Sequence, residues 1–271
     1  MGLSGKNMFY TVEEVIGDIK SGRIIIIVDD RSQENEGVLF QAAEKVTDRS
    51  MNFFMTHGRD FIYLPCEGKR LEELGIPMLN TIISMKSSHK SRQEPNDQYK
   101  SRPHTNPSIA MSVDYACKKG RGSSAADRAA AVMAFVDPLS TPKDFIMPGH
   151  VFPVRYQEGG VLVRAGHTEA AVDLTVIAGL YHAGIICEII RDDGEIAKLG
   201  DLLQISEKSG LKIITIEELI RYRKRKEVLI ERVAEIRLPT RWGKFKAITY
   251  RSKISPEIHI AFIKGKVKGK E

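Results

Sequence analysis

The chain is poor in cysteine and tryptophan and has no long apolar segment. Of its 271 residues, 3 are cysteine and 1 is tryptophan. Cys66, Cys117 and Cys187 are far apart and form no CxxC pair, which argues against a disulfide framework or a cysteine zinc site and favours a reducing, cytoplasmic environment. No apolar run approaches the roughly 20 residues of a membrane helix, and the first residues lack the apolar core of a secretory signal. We therefore expect no membrane association.

The positive charge is unevenly distributed. The net charge is +6, from 41 Lys and Arg against 35 Asp and Glu. A basic balance can indicate binding to nucleic acid. Here the excess lies after residue 220, and basic residues do not alternate with aromatic ones as they do in single-strand binders. The rest of the chain is nearly balanced, so we expect a metabolic domain that does not bind nucleic acid.

Helix-start signals alternate with short apolar segments along the chain. The sequence predicts helices that begin near Thr11, Ser124, Thr168 and Thr215, the third of them ending near His182. It predicts strands over 24–28, 53–56, 61–64, 109–113, 161–163, 185–190 and 213–214, with an irregular turn over 147–153. Such irregular alternation favours an α+β or α/β fold with a mixed sheet. Residues 86–108 contain almost nothing apolar and predict a long loop, either a mobile lid or a disordered insertion.

Two glutamates, Glu34 and Glu36, follow the first predicted strand. In an extended segment they would point to opposite faces, whereas in a turn they can converge. One interpretation is a solvated acidic loop. The other is a functional site, because α/β folds place their sites at the ends of central strands.

A second polar group, Arg164 to Thr168, lies at the start of a predicted helix. Free backbone N–H groups, the helix dipole and Arg164 together favour a phosphate at such a position. His167 beside them could bind a divalent metal or transfer a proton. The alternative is an ordinary helix start with an incidental histidine.

Three further residues are candidates on local grounds. Glu188 lies inside the apolar segment 185–190, where a carboxylate is costly unless it is paired, metal-bound or protonated, so it is a candidate acid or base with a raised pKa. The alternative is an edge strand with Glu188 facing water. His150 is either catalytic or structural. Ser124 begins a helix after two glycines and is either part of an anion site or only a helix cap.

Taken together, these segments resemble the 3,4-dihydroxy-2-butanone 4-phosphate synthase family of riboflavin biosynthesis. The resemblance implies an α+β sandwich with a mixed sheet over residues 1–225, usually as a homodimer with sites near the interface. It implies a divalent-metal-dependent lyase that converts ribulose 5-phosphate with two Mg²⁺ or Mn²⁺ ions and releases formate. The matching motifs are the acidic segment 29–37, Val113-Asp114, GSSAADR at 122–128, PGHVFP at 148–153, GGVLVRAGHTEAAVDL at 159–174 and the CEI around Glu188.

The resemblance assigns a role to each candidate residue. Glu34 and His167 become metal ligands, with Glu34 also close to the substrate. The implied contacts to substrate or phosphate are Arg164, Thr168 and Ser124. The implied catalytic groups are Glu36, His150 and Glu188.

The chain departs from the family pattern at three positions. The family's acidic loop usually reads RENEGD, whereas here Gln33 replaces the arginine and Val38 the final aspartate. Arg121 replaces a threonine that touches phosphate in the family. Changing a polar group at the substrate to an apolar one typically costs orders of magnitude in rate. The alternatives are therefore a diverged homolog that acts on another phosphorylated or ketose-like substrate, and a non-catalytic partner of an active paralog.

The remaining residues, 226–271, resemble the opening of GTP cyclohydrolase II, the usual fusion partner of this family. The matching residues are Glu231-Arg232-Val233, Leu238-Pro239-Thr240, Gly243-Lys244-Phe245 and His259-Ile260-Ala261. That family's zinc cysteines and GTP-binding core are not in this sequence, so we expect no cyclohydrolase activity. We also expect a piece of this size to have too little core to fold alone.

Overall fold

The computed structural model describes residues 8–29, 36–82, 108–116 and 120–265. The chain divides into two compact units, with the division between Leu219 and Ile220. This division lies a few residues before the predicted boundary at 225. The predicted loop 86–108 lies outside the described residues except for Ser108.

The first unit alternates helices with short strands. Its helices are α1 (Val12–Lys20), α2 (Asp48–His57), α3 (Gly68–Glu73), α4 (Ala125–Val136), α5 (His167–Ala178), α6 (Leu199–Ser209) and α7 (Ile216–Lys226), the last of which continues into the second unit. Its strands are β1 (Ile25–Val28), β2 (Gly37–Ala42), β3 (Ile62–Cys66), β4 (Val113–Tyr115), β5 (Phe145–Arg155), β6 (Gly184–Glu188) and β7 (Ile213–Thr215).

These strands form one seven-stranded mixed sheet in the order β4-β5-β3-β6-β2-β1-β7. β3 pairs with β5, and β1 with β7, in parallel, whereas β6 runs antiparallel to both β2 and β3. The mixed sheet and the α+β class expected from the sequence are confirmed. Because β6 is an interior strand, the edge-strand alternative for Glu188 is wrong.

Helices cover both faces of the sheet. On one face α5 packs on β1, β2, β3 and β6, with α1 beside it. On the other face Met51 and Phe54 of α2 and Phe135 of α4 join the main apolar core with the alternate strand residues Ile26 and Val28. This alternation is the period of two that a sheet buried on both faces requires.

Several helix starts are as predicted. Thr11 and Glu14 form a reciprocal capping box at α1. Ser124 Oγ accepts from the Asp127 N–H at 3.1 Å, and Thr215 Oγ1 accepts from the Glu218 N–H at 3.1 Å. Each of these side chains satisfies a backbone donor that the first turn of a helix leaves free.

Two predicted strands are wrong. Residues 53–56 lie in α2, because the Thr47–Ser50 capping box starts a helix whose Met51 and Phe54 reach the core from one face. Residues 161–163 lie at a 3₁₀ turn, Gly160–Leu162, that follows Gly159 in a left-handed conformation. Short apolar runs are compatible with either element, so periodicity alone could not separate them.

The prediction for α5 needs correction at both ends. Thr168 does not cap the helix, because the helix begins at His167 and Gly166 is the N-cap. The helix ends at Ala178 rather than near His182, since Gly179 adopts a left-handed conformation with φ of 68°.

The predicted turn over 147–153 is instead part of the 11-residue strand β5. Its pairing with β4 is interrupted, however: Val113 pairs with Val151, whereas Asp114 pairs with Ile146. Residues 147–150 therefore leave the ladder as a bulge. The irregularity that the sequence indicated lies within a strand, not between two strands.

The second unit contains a three-stranded antiparallel sheet in the order β8 (Ile230–Thr240), β9 (Gly243–Ser252), β10 (Ile258–Ile263), with β9 central. Among its described residues, Ala247 and Ile248 are the buried apolar ones. Whether it folds alone stays a prediction. No helix in the described parts of either unit is long and apolar enough to cross a bilayer.

Candidate active site

A row of candidate residues crosses the sheet. The β2–β6 register places Val38 opposite Glu188. The β3–β5 register, continued by one residue, places Phe61 opposite His150, and the β3–β6 pair Tyr63–Ile186, continued by two residues, places Phe61 next to Glu188. Neighbouring strands are about 4.8 Å apart, so the backbones of Glu188 and His150 are about 10 Å apart. The sheet thus brings two of the predicted catalytic residues onto one line.

Carboxylates gather at the Glu188 end of this row. Asp29 follows β1, and its N–H donates to the Glu36 carbonyl at 2.9 Å, which ties the two sides of the acidic segment together. Glu188 is an exposed residue at the end of β6, but the surrounding atoms partly remove its carboxyl group from water. This desolvation raises the pKa of Glu188, and the carboxylates of Asp60 and Glu36 raise it further. Glu188 is therefore suited to carry a proton, as predicted from its place in an apolar strand.

His167 is the first residue of α5 and has an unusual environment. Its Nε2 is shielded from solvent and has no hydrogen-bond partner among the described residues. Burial lowers the pKa of His167, and Asp29 and the backbone of Glu36 and Ile27 oppose this only in part. An imidazole whose neutral form is favoured by burial, with Nε2 unpartnered among the described residues and the Asp29 carboxylate nearby, is suited to bind a divalent cation.

The second predicted ligand, Glu34, lies outside the described residues, as does Gln33. Among the residues that are described, no three metal-ligating side chains cluster together. His167 is thus the part of the predicted metal site that can be characterised.

Arg164 and Thr168 flank His167 at the start of α5. Arg164 Nε donates to Glu169 Oε2 at 2.7 Å, and Glu169 is completely buried. The other Glu169 oxygen accepts from the Gln157 N–H at 3.1 Å. Because the N-cap is Gly166, no side chain caps the first turn of this helix. First-turn N–H groups and a fixed guanidinium together favour an anion.

His150 lies at the other end of the row, on the β5 bulge. Its Nδ1 is 2.9 Å from Asp114 Oδ2, and its backbone N–H donates to Asp114 Oδ1 at 2.9 Å. Arg128 Nη1 donates to the His150 carbonyl at 3.3 Å, and Arg128 Nε donates to the Ser123 carbonyl at 3.2 Å. Arg128 thereby links the helix start at Ser124 to His150.

Asp114, Arg128 and Glu169 belong to the site but were not among the predicted site residues. Asp114 and Arg128 lie in motifs of the family resemblance, but their contacts to His150 join residues that are distant in sequence. Glu169 could have been recognised by the argument used for Glu188, since it is a carboxylate on an otherwise apolar face.

Burial raises the pKa of Cys187 to about 12, which argues against a thiolate nucleophile at this residue.

Two family models match the chain. The family model of 3,4-dihydroxy-2-butanone 4-phosphate synthase matches residues 13–222, and that of GTP cyclohydrolase II matches residues 231–271. The chain therefore belongs to the 3,4-dihydroxy-2-butanone 4-phosphate synthase family. The family resemblance and the cyclohydrolase-like segment expected from the sequence are confirmed.

The chain is similar to the following three proteins, among others. Riboflavin biosynthesis protein RibBA of Aquifex aeolicus is 45% identical over 97% of this chain, which spans 61% of that relative. A crystal structure of RibBX, a two domain 3,4-dihydroxy-2-butanone 4-phosphate synthase from A. baumannii, has a TM-score of 0.78 and 38% identity, over 94% of this chain and 70% of that one. A structure of the synthase in complex with two magnesium ions has a TM-score of 0.66 and 30% identity, over 80% of this chain and 98% of that one.

Proposed function

We propose that this chain is a lyase that converts D-ribulose 5-phosphate to L-3,4-dihydroxy-2-butanone 4-phosphate and formate. The observation that carries the proposal is the environment of His167. Its Nε2 is shielded and has no partner among the described residues, the Asp29 carboxylate is nearby, and the ring is at the same helix start as Arg164. One short segment thus offers a metal ligand and an anion site to one small phosphorylated substrate.

Mg²⁺ or Mn²⁺, two ions per site, is the cofactor that we propose. His167 through Nε2 and Glu34 through its carboxylate would hold the metal. A related structure in complex with two magnesium ions supports the use of a divalent metal. When bound there, the metal would polarise substrate oxygens and stabilise negative charge that develops on them. The mixed nitrogen and oxygen ligand set is compatible with Mn²⁺ as well as Mg²⁺.

The phosphate group is assigned to the start of α5. Arg164, held through Nε by Glu169, keeps donors on its terminal nitrogens, and one of them is 3.4 Å from Ser108 Oγ. Thr168 adds a hydroxyl in the first turn of the helix, and Ser124 is the corresponding residue at the start of α4. These donors would bind the phosphate and fix the direction in which the ketose chain enters.

Proton transfers are assigned to Glu36, Glu188 and His150. Forming an enediolate removes a proton from the carbon beside the ketone, and a nearby base must hold that proton until a later step returns it. Glu188, whose pKa is raised by desolvation and by the nearby carboxylates, holds a proton more readily than an ordinary glutamate does. Val38, buried opposite Glu188, can neither accept nor donate one. For this reaction the carboxylate missing at Val38 must be compensated, and the candidates are Glu36, Glu188 and a group on the long loop 86–108.

Release of formate from ribulose 5-phosphate and Mg²⁺ is the test. The wild type should release formate, EDTA should abolish the release, and added Mg²⁺ should restore it. His167→Ala should lose at least ~10²-fold in rate. The ion-paired surface residue Asp18 gives the control Asp18→Asn, which should match the wild type. No release by well-folded wild type would refute the proposed substrate, and xylulose 5-phosphate in parallel would then test the diverged alternative.

We also propose a homodimer, in keeping with the family resemblance. An exposed apolar patch lies next to His150: Phe61, Ile146 and Met147 are 54%, 54% and 36% exposed. A patch of this kind beside a site favours contact with a second copy. Sedimentation of the purified protein tests this, and a monomer at micromolar concentration would refute it. The cytoplasmic location stays a prediction.

A further inference from the structure

His150 is held in place by an unusually close approach of two backbone segments. The bulge 147–150 lies on the segment before β4, where the Gly149 N–H donates to the Ser112 carbonyl at 3.0 Å and is 3.1 Å from Ser112 Oγ. A Cβ atom at Gly149 would be 2.1 Å from the Val113 carbonyl carbon. Only glycine allows this approach, and the approach places His150 over Asp114.

Asp114 contacts His150 twice. Oδ1 accepts from the backbone N–H and Oδ2 is 2.9 Å from Nδ1. The oxygens of a carboxylate are acceptors, so Nδ1 must carry a hydrogen, and in the neutral ring this leaves the lone pair on Nε2. The Asp114 side chain is 12% exposed and that of His150 is 40% exposed. No hydrogen bond joins Nε2 to any described residue, so Nε2 remains available on the open side.

The surroundings of Asp114 allow it little freedom. Gly122 has a φ of 82°, and a Cβ there would be 2.0 Å from Asp114 Oδ2. Arg128, which donates to the His150 carbonyl, interacts favourably with the Asp114 charge. The hydrogen bond to Asp114 Oδ1 from the backbone is sufficient to hold the bulge 147–150 in place. The contact between Oδ2 and Nδ1 does not hold the backbone; it fixes the orientation of the imidazole.

We infer that Asp114 is a positioning residue for His150, which fixes its Nδ1–H tautomer and leaves Nε2 to accept and return a proton. The inference rests on the proposed function, in which His150 transfers a proton. Asp114 does not itself take the proton. Its contribution is to hold the ring orientation and to stabilise the imidazolium form while His150 carries the proton, as carboxylates do for other catalytic histidines.

Asp114→Asn, His150→Gln and the double variant test this inference, with Asp18→Asn as the control at a carboxylate of similar exposure. Asparagine cannot accept at both contacts, because one of its two polar atoms is a donor. Asp114→Asn should lower kcat for formate release by about 10²-fold with KM within about 3-fold. In the His150→Gln background the same change should have no further effect on kcat. A purely structural residue would lower kcat in both backgrounds, and that result would overturn the inference.

The imidazole ¹⁵N shifts of His150 provide a second test that is independent of turnover. Wild-type His150, assigned by its loss in His150→Gln, should show in its neutral form a protonated Nδ1 and an unprotonated Nε2. The opposite tautomer in the wild type would overturn the inference even if Asp114→Asn fails to fold. If the wild type has the expected tautomer but releases no formate, the proposed function fails and the Asp114–His150 pair stands.

Discussion

The two histidines of the site differ in what their ring nitrogens contact. His167 is neutral by burial, and its Nε2 has no partner among the described residues. His150 is more open, and its Nδ1 is bound to a carboxylate. The same imidazole is thereby prepared for metal binding in one place and for proton transfer in the other. The difference teaches that the role of a histidine follows from its hydrogen-bond partner more than from its position in a motif.

The first prediction tests the backbone packing that positions His150. Gly149→Ala would force a Cβ into the Val113 carbonyl, so it should lower the free energy of unfolding by about 2–3 kcal/mol. By displacing His150 it should also lower kcat by ~10²-fold while Mn²⁺ binding stays near wild type. Chemical denaturation and formate release measure the two effects. As a control, Gly17→Ala in α1, where no atom lies within 4 Å, should stabilise by about 0.5–1 kcal/mol. Equal effects of the two changes would contradict the proposed packing.

The second prediction concerns the position between the two histidines. Val38 is buried opposite Glu188 at a position where the family usually has an aspartate. Val38→Asp together with Gln33→Arg should raise kcat about 10-fold, because a carboxylate that contacts the enediol acts in the transition state. Val38→Asn with Gln33→Arg is the control that lacks the charge. Wild-type turnover in the ordinary range of about 1–10³ per second, with no gain in the variant, would show that Val38 is harmless.

The third prediction isolates the start of α5. Glu169→Gln should loosen Arg164, so KM for the sugar phosphate should rise about 5- to 10-fold with kcat within about 2-fold. Asp173→Asn is the matched control: this buried carboxylate of the same helix bonds to Tyr156 and to the Val161 N–H, not to Arg164. Steady-state kinetics give KM and kcat for both variants. A rise in KM that is as large in Asp173→Asn would mean that general loosening, not Arg164, is the cause.

The fourth prediction, with the smallest effect, concerns stability and pH. In the folded protein the pKa of Glu188 is raised from its ordinary value of 4.5, so the folded state binds the Glu188 proton more tightly than the unfolded state does. The free energy of unfolding therefore falls as the pH rises from the unfolded-state pKa through the folded-state pKa, where Glu188 becomes charged. Glu188→Gln should match the wild-type Tm at pH 4 and exceed it by a few °C at pH 8. Glu207→Gln, at an exposed glutamate of α6, should follow the wild type throughout. If Glu188→Gln raised the Tm equally at pH 4 and pH 8, the raised pKa of Glu188 would not be the cause.

The sequence predicted those features that depend on neighbours along the chain. The alternation of helices and strands, the capped starts of α1, α4 and α7, and the cluster at Arg164 to His167 all rest on residues within a few positions of one another. Glu188 was found because a carboxylate in an apolar strand is costly wherever the strand lies.

Features that depend on distant partners could not be predicted. Asp114 is 36 residues from His150, and only the interrupted β4–β5 pairing brings them together. The apolar run 53–56 fits a helix and a strand equally well until Phe54 is seen to reach the core from α2. Thr168 has the residue type of a helix cap, yet the helix begins one residue earlier because Gly166 already has an extended conformation.

Binding of Mn²⁺ to the wild type, His167→Ala and His150→Ala, followed by electron paramagnetic resonance, tests the division between the two histidines most directly. We predict that His167→Ala weakens binding at least ~10-fold, because it removes a neutral ring nitrogen that has no other partner. His150→Ala should bind Mn²⁺ within about 2-fold of the wild type, because its ring is bound to Asp114. Equal binding by wild type and His167→Ala, or equal losses in the two variants, would contradict the assignment.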